Sequence, residues 1–592
     1  MKKHYETHVE DTDKLISVAG PVLDYKSWYE QYRKLMEEQA QRKYGLYTPT
    51  SEGDEDDFPS IPGMIARYSA SGLTNEEMSK NPVWVDKTGN GHDLQMKNFA
   101  WSEMSGVGGY KLNWGDSNIW NNYITRGTFG TGEVTDNTIH ITSAKTNNSL
   151  FETRASLKSV EYKVLIKGLT DDIYLRYGVC NDGKELWTEI KNDGIYTLPS
   201  YDYDSRYNMK WKVMSQTYPI DCNITIEQLP LYPGALVFDG VDDYGVCGNF
   251  PILTKEKGYT VVALRRYLSN KVDKVYSLVT NAPSAIVSRS TITFELIGND
   301  KTKTNFSFGR GNPVIDFEPN VFSYMTSKSY NGKIITPGNY TEHQKRLLVG
   351  NFSESGRYGC NVAIWELVFL DHDATEEELT KIKDYFVKTY PWLFPDQAWT
   401  VTGKTNEDED RATIANITGN GNDLVLSNFG FAEGSGYNEE GEYAGYLVTD
   451  GVDDKIVSSV FGMGKDFTIV GDWKFIDNKK SGTGLVKGSS FYIYNTMTGL
   501  DLYINSGSVT NRFDGIKSIN AACSDGRVYD PNWDEILANT GNVVGSGGTL
   551  EVSSSGGRFD RIAFKNFAIY PRILSKDDCI KAYNYLQTLK SK

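Results

Sequence analysis

Three carboxylates crowd one short stretch of the chain, Asp239, Asp242 and Asp243 in GALVFDGVDDYG (234–245). The spacing returns as Asp450, Asp453 and Asp454 in GYLVTDGVDDKIV, which begins at Gly445. Carboxylates gathered on a turn suit a hard cation, so Asp239, Asp242 and Asp243 are calcium candidates. The same residues also make a tight hairpin, because Asp-Gly supplies a position of positive φ and Asp side chains satisfy turn amides. The turn reading takes precedence, for these residues and for Asn90, Asp93, Asn420 and Asp423 in the two TGNG segments. No metal and no other cofactor is expected.

Catalytic chemistry has little to stand on in the sequence. The histidines are His4, His8, His92, His140, His343 and His372, and only the first two have a chelating spacing. No Gly-x-Ser-x-Gly elbow and no phosphate loop is present. The expectation is therefore that the chain is not an enzyme, with no catalytic residue assigned. Planar aromatics that could stack on sugar rings are more plentiful. Trp187, Tyr201, Tyr203 and Trp211 lie around the Asp-rich YDYDSRYNMKW (201–211) and are the glycan-binding candidates. Trp187 and Trp211 also suit core positions on alternating strands, whereas Asp202 and Asp204 mark Tyr201 and Tyr203 as exposed loop residues.

The elements that must position these residues follow from an internal repeat. TGNGHDLQMKNF (88–99) returns as TGNGNDLVLSNF (418–429), 330 residues on. GLTNEE (72–77) likewise matches GKTNED (403–408). The DGVDD turns, however, are only 211 apart, and the closing segments NVAIWELVFLDHDATEEEL (361–379) and RIAFKNFAIYPRILSKDDC (561–579) only 200. The shortened offset locates an insertion of about 119 residues in the first copy, placed at 114–232. The guest also reads as β: Val160, Tyr162, Val164 and Ile166 alternate on one face, as do Ile173, Leu175, Tyr177 and Val179. Its last strand, in CNITIEQLP (222–230), leads back into the first copy. Each copy closes with a strand and a capped helix, Thr375 with Glu378 and Ser575 with Asp578 supplying the caps.

The N-terminus differs. DYKSWYEQYRKLMEEQAQRKYG (24–45) carries Trp28, Tyr32, Leu35 and Met36 at helical spacing, followed by an acidic stretch that reads as a linker. These four residues are the candidates for anchoring or self-association. Across 592 residues the chain has 56 Gly and 38 Tyr and few long apolar helical stretches, which favours β-sandwiches with many turns. A net charge of −15 argues against nucleic acid or an anionic membrane as the main partner. Cys180, Cys222, Cys247, Cys360, Cys523 and Cys579 are scattered without metal-ligand spacing and are expected as free thiols. No segment reaches the length of a membrane span and the start lacks an apolar signal region.

The order of motifs, a Thr-Gly-Asn-Gly-Xaa-Asp-Leu turn, then Asp-Gly-Val-Asp-Asp, then a strand and a Thr- or Ser-capped helix, resembles laminin-G-like domains of the concanavalin A-like lectin and glucanase superfamily. The resemblance covers about two thirds of the chain. It implies antiparallel jelly rolls that bind glycans or proteins, and in some branches cleave polysaccharides. The acids that alternate along one strand in the superfamily's hydrolases (Glu-Xaa-Asp-Xaa-Xaa-Glu) have no match here. The tandem arrangement also resembles virion proteins of crAss-like phages that infect Bacteroidetes.

The expected fold is mainly β: two laminin-G-like sandwiches, the first interrupted, plus an N-terminal helical anchor. The division is 1–62 anchor and linker, 63–113 with 233–395 first sandwich, 114–232 inserted sandwich resembling a carbohydrate-binding module, and 396–592 second sandwich. The expected function is that of a non-enzymatic fibre or decoration protein of a phage virion, assembled in the host cytoplasm and exposed on the particle. Its N-terminal segment would hold a capsid, portal or tail protein. Its sandwiches, presented by a homo-oligomer such as a trimer, would hold a host-surface glycan. The alternative is a bacterial carbohydrate-binding surface protein, or accessory domains of a polysaccharide-degrading enzyme.

Overall fold

The computed structural model describes residues 57–592 apart from 154–159, 182–183, 201–208, 252, 255, 269–275, 282–291, 298–302, 308–320, 335–345, 352–358, 433, 460, 477–482, 489–490, 496–498, 505–510, 515–517, 538–545, 549, 553, 556–557, 560 and 592. Trp28, Tyr32, Leu35 and Met36 lie outside the described residues, as do Tyr201 and Tyr203. Among the described residues the protein is mainly β, with antiparallel sheets and three α-helices, α1 (Asn75–Lys80), α2 (Glu376–Thr389) and α3 (Lys576–Gln587). None of these helices is long and apolar enough to cross a membrane.

An eight-stranded sheet is organised around the strand Asn361–Leu370, which pairs with Met64–Ser69, Leu236–Asp239 and Thr260–Tyr267. Nine of its ten residues are buried, so it reads as a near-continuous apolar run. Val362, Ile364, Leu367 and Phe369 face a core shared with a seven-stranded sheet that includes Leu94–Lys97 and Tyr244–Cys247. Ala363, Trp365, Val368 and Leu370 face the other way, onto α2. A register shift between Leu264 and Arg265 lets the face switch within the strand.

The second copy repeats this plan. The strand Ile562–Tyr570 pairs with Gln397–Thr400, Tyr446–Val448 and Thr468–Phe475, with a register shift between Asp472 and Trp473. A four-stranded sheet that includes Leu424–Ser427 and Lys455–Ser458 covers its inner face around Trp399, Leu447 and Phe567. The outer faces of both eight-stranded sheets, α2 and α3 share one further core, in which Trp365, Phe386 and Trp392 meet Ala568, Tyr570 and Leu586. The Tyr570 hydroxyl donates to the Trp392 carbonyl at 2.9 Å, and Arg266 Nη1 donates to the Tyr585 hydroxyl at 3.0 Å.

Both long helices start as their sequences require. Thr375 Oγ1 accepts from Glu378 N at 3.3 Å while Thr375 N donates to Glu378 Oε2 at 2.8 Å, a complete capping box. Ser575 Oγ accepts from Asp578 N at 3.1 Å. Each cap is worth about 1 kcal/mol to a helix whose remaining stability comes from its buried face.

Residues 120–228 supply two five-stranded sheets. Their core holds Trp120, Phe151, Tyr162, Tyr177, Trp211 and Ile226, with the Trp120 and Phe151 rings stacked at 4.7 Å. The two ends of this segment are tied together by one side chain. Gln228 Oε1 accepts from Lys111 N at 2.9 Å and Leu112 N at 3.0 Å, and Gln228 Nε2 donates to the Leu112 carbonyl at 2.8 Å. Buried amide groups need such pairing, and here it closes the segment on itself. Cys247, Cys523 and Cys579 are buried free thiols, Cys360 is buried and Cys222 is half-buried.

Candidate functional site

The two carboxylate turns have one construction. In the first, Asp243 is fully buried; its Oδ2 accepts from Asp239 N at 2.9 Å and its Oδ1 from Ser105 Oγ at 3.0 Å. Asp239 Oδ1 accepts from Val241 N at 2.7 Å, and Asn98 Nδ2 donates to the Asp242 carbonyl at 3.0 Å. In the second, Asp454 Oδ2 accepts from Asp450 N at 2.7 Å and Oδ1 from Ser435 Oγ at 3.1 Å, while Asn428 Nδ2 donates to the Asp453 carbonyl at 3.0 Å. Gly240 sits at φ +78°, and a Cβ there would stand 2.6 Å from the Asn361 Cβ. Glycine is required at that point on both counts.

The carboxylate oxygens of Asp239, Asp242 and Asp243 approach within 4.8 Å of one another, as do those of Asp450, Asp453 and Asp454. Both oxygens of Asp243 already accept hydrogen bonds, one from the turn's own Asp239 N and one from Ser105 Oγ. Burial pushes the Asp243 carboxyl up to about 7, its neighbours Asp239 and Asp242 adding to the shift and the two hydrogen bonds opposing it. Asp454 is pushed to about 6 for the same reason. The arrangement works as a latch between the hairpin and the loop carrying Ser105 or Ser435. The TGNG segments do related work: Asn90 Nδ2 donates to the Ile65 carbonyl at 2.9 Å and Asn420 Nδ2 to the Asp396 carbonyl at 2.7 Å. Asp93 Oδ1 and Asp423 Oδ1 accept from Asp86 N and Asn416 N.

The glycan candidates separate. Trp211 is wholly buried, packed on Tyr177 with ring centroids 4.6 Å apart, and is corrected to a core residue. Its strand Lys210–Ser215 alternates buried Trp211 and Val213 with lysines, so its parity is inward. Trp187 has the opposite parity. It is half-buried on the edge strand Lys184–Ile190, directly opposite Gly178 of the strand Ile173–Asn181. A Cβ on Gly178 would lie 2.7–2.9 Å from three carbons of the indole six-membered ring, so the glycine makes room for the ring to lie against the sheet. The Arg176 guanidinium and the Lys212 ammonium each stand 4.8 Å from the Trp187 ring, at cation–π distance. Lys191 stands 5.4 Å from the Tyr174 ring on the same strand set.

This sheet face therefore offers an aromatic plate with the Arg176 and Lys212 cations over it, Arg176 Nε also lying 3.9 Å from Glu189 Oε1. Such a plate can stack on the C–H face of a sugar while its cations bind carboxylate or sulfate. Arg176, Gly178 and Lys212 were not among the residues expected to take part. The signal was present: Glu185, Trp187 and Glu189 share one parity, which marks the tryptophan as outward.

No family model matches the sequence, and no curated protein matches it. Solved structures do. A Trypanosoma rangeli sialidase in complex with 2,3-difluorosialic acid aligns at 10% identity with a TM-score of 0.25, covering 78% of this chain and 84% of that one. The same sialidase with the inhibitor DANA aligns at 11% identity and a TM-score of 0.25, covering 79% and 87%. A crystal structure of an HCR/D mutant aligns at 9% identity and a TM-score of 0.22, covering 58% and 90%. The expectation that the chain is not an enzyme is corrected by these neighbours. The solved structures that align with most of its length include sialidases. At these TM-scores the likeness carries neither activity nor residue roles across to this chain.

Proposed function

We propose that the chain is a multidomain adhesin that binds an acidic glycan on the outer face of its inserted sandwich. The observation that carries this reading is the Trp187 ring laid against Gly178 with the Arg176 and Lys212 cations over it. In this reading the domains are 63–113 with 233–395, 114–232 and 396–592, the first and last being laminin-G-like. The separate core of the inserted segment and its Gln228 closure support that division. Residues 1–62 attach the chain to other proteins of a phage virion, and an oligomer presents several weak sites at once. Avidity then raises the effective affinity by about a hundredfold or more where the geometry allows simultaneous contact.

A glycan array probed with the full chain and with Trp187→Ala tests the binding site. The wild type is expected to favour uronic-acid or sulfated glycans over neutral ones, and the variant to lose about tenfold in affinity, equivalent to about 1.4 kcal/mol. The ring lies outside the guest core, so the variant should keep the wild-type circular dichroism. No glycan signal from the wild type, or equal signals from both proteins, would sink this reading. Attachment is tested separately: deleting residues 1–60 should abolish incorporation into particles in an infected host, and unchanged incorporation would remove the virion assignment.

A further inference from the structure

The inserted segment, the first sandwich and the end of α3 meet around a cavity of about 440 Å³. That volume lies within the range of small-molecule sites. The segment 229–231 and Leu268 give it an apolar wall. Its charged lining is nearly of one sign: Lys111, Lys163, Lys565 and Lys590 against Glu161. In a chain of net charge −15 this is a local reversal.

Two of the lining residues carry buried donor atoms that have no hydrogen-bond partner among the described residues. Lys163 lies on the guest strand Val160–Lys167, where Tyr162, Val164 and Ile166 point into the guest core and Lys163 takes the opposite parity. Its ammonium is buried 3.7 Å from the Tyr583 ring centroid and has no hydrogen-bond partner among the described residues. Gln587 Nε2, from α3, is buried without a partner as well. Buried donors are rarely left without a hydrogen bond, and the Tyr583 ring offsets only part of that loss for Lys163.

We infer that this cavity binds a compact organic anion, whose carboxylate or phosphate group accepts from Lys163 and Gln587 and whose body rests on the wall formed by 229–231. An anionic acceptor meets both needs of the site at once, satisfying the donors and offsetting the lysines. A neutral acceptor satisfies only the first. Glu161 and Asp472, the latter accepting from the Tyr446 hydroxyl at 2.9 Å, are the acids acting on Lys163. Burial outweighs them and, with Lys565 nearby, pulls the Lys163 ammonium down to about 7. This site is separate from the Trp187 face and does not depend on it.

Isothermal titration of the full chain with sodium glucuronate, sodium phosphate and glucose tests the inference. Glucuronate is expected to bind at least about tenfold more tightly than glucose. Lys163→Met and Gln587→Leu should each weaken it by about tenfold, whereas Trp187→Ala should leave it unchanged. Phosphate binding as tightly as glucuronate, with the same loss in Lys163→Met, upholds the site and assigns it to an inorganic anion. No heat with either anion at about 10 mM, or wild-type affinity in Lys163→Met, overturns it. Should Lys163→Met lose the wild-type circular dichroism, the double variant Lys565→Met/Lys590→Met decides by the same criterion.

Discussion

Replacing Arg67 by methionine is expected to cost about 3–5 kcal/mol of stability, because it strands a buried carboxylate. Arg67 Nε donates to Glu366 Oε2 at 3.1 Å and Nη2 to Glu366 Oε1 at 3.2 Å, with side chains only 3% and 0% exposed. The Tyr390 hydroxyl also donates to Glu366 Oε1, at 2.8 Å, and Phe58 lies 4.1 Å from the guanidinium. Burial pushes the Glu366 carboxyl up, and Arg67 is the largest influence opposing that rise. The second copy answers the same need without charge: Asn566, 200 residues on, is buried and accepts from Asp472 N at 3.2 Å. The double variant Arg67→Met/Glu366→Gln should therefore recover more than half of the loss. Urea unfolding, with hydrogen exchange read on the strand Asn361–Leu370, measures both variants. A loss below about 1 kcal/mol for Arg67→Met would place the pair with weak, solvated surface pairs and refute this account.

Asp243→Asn is expected to stabilise the protein at pH 8 by an amount on the order of a few kcal/mol, and to change little at pH 4. The folded pKa of Asp243 is raised by burial to about 7. Between the ordinary carboxylate range and that value the native state holds a proton that the unfolded chain has released. The stability of the turn is therefore full below about pH 4 and is lost as the pH rises toward 7. Asparagine removes the charge and keeps the latch, since its oxygen can accept from Asp239 N while its amide donates to Ser105 Oγ. Asp454→Asn should act in the same direction and less strongly, as Asp454 is raised only to about 6. Thermal unfolding from pH 4 to pH 8 measures the slope. A wild-type midpoint that rises across that range, or a variant less stable at pH 8, would show that the carboxylate is the favoured form.

Much of the β framework was legible because it is written in local code. The caps at Thr375 and Ser575, the Asp-Gly turns and the alternating strands of the guest each involve residues a few positions apart. Repetition strengthened the reading: Asn75 and Asn406, matched in the aligned segments, each clamp a distant strand, at Val107 N and Tyr437 N. The aromatics were read less well. Trp187 and Trp211 are alike in type and neighbourhood, and only strand parity separates an exposed plate from a core residue. The parity was available for both, yet Gly178 beneath the plate and Arg176 beside it acquire meaning only once two strands are in register.

What the sequence determined by itself was the list of parts: a repeated β module, a β segment placed within the first copy, turns fixed by Asp and Gly, and helices with written starts. These follow from side-chain periods and from backbone angles that few residues tolerate, and both are properties of short stretches. Tertiary structure alone decided which outer faces became a shared core, and which lysines were brought to one cavity. Lys163 and Gln587 are separated by more than four hundred residues and share a pocket because α3 and a guest strand pack against common neighbours. Contacts of that kind depend on how modules settle against one another, and no local pattern encodes it.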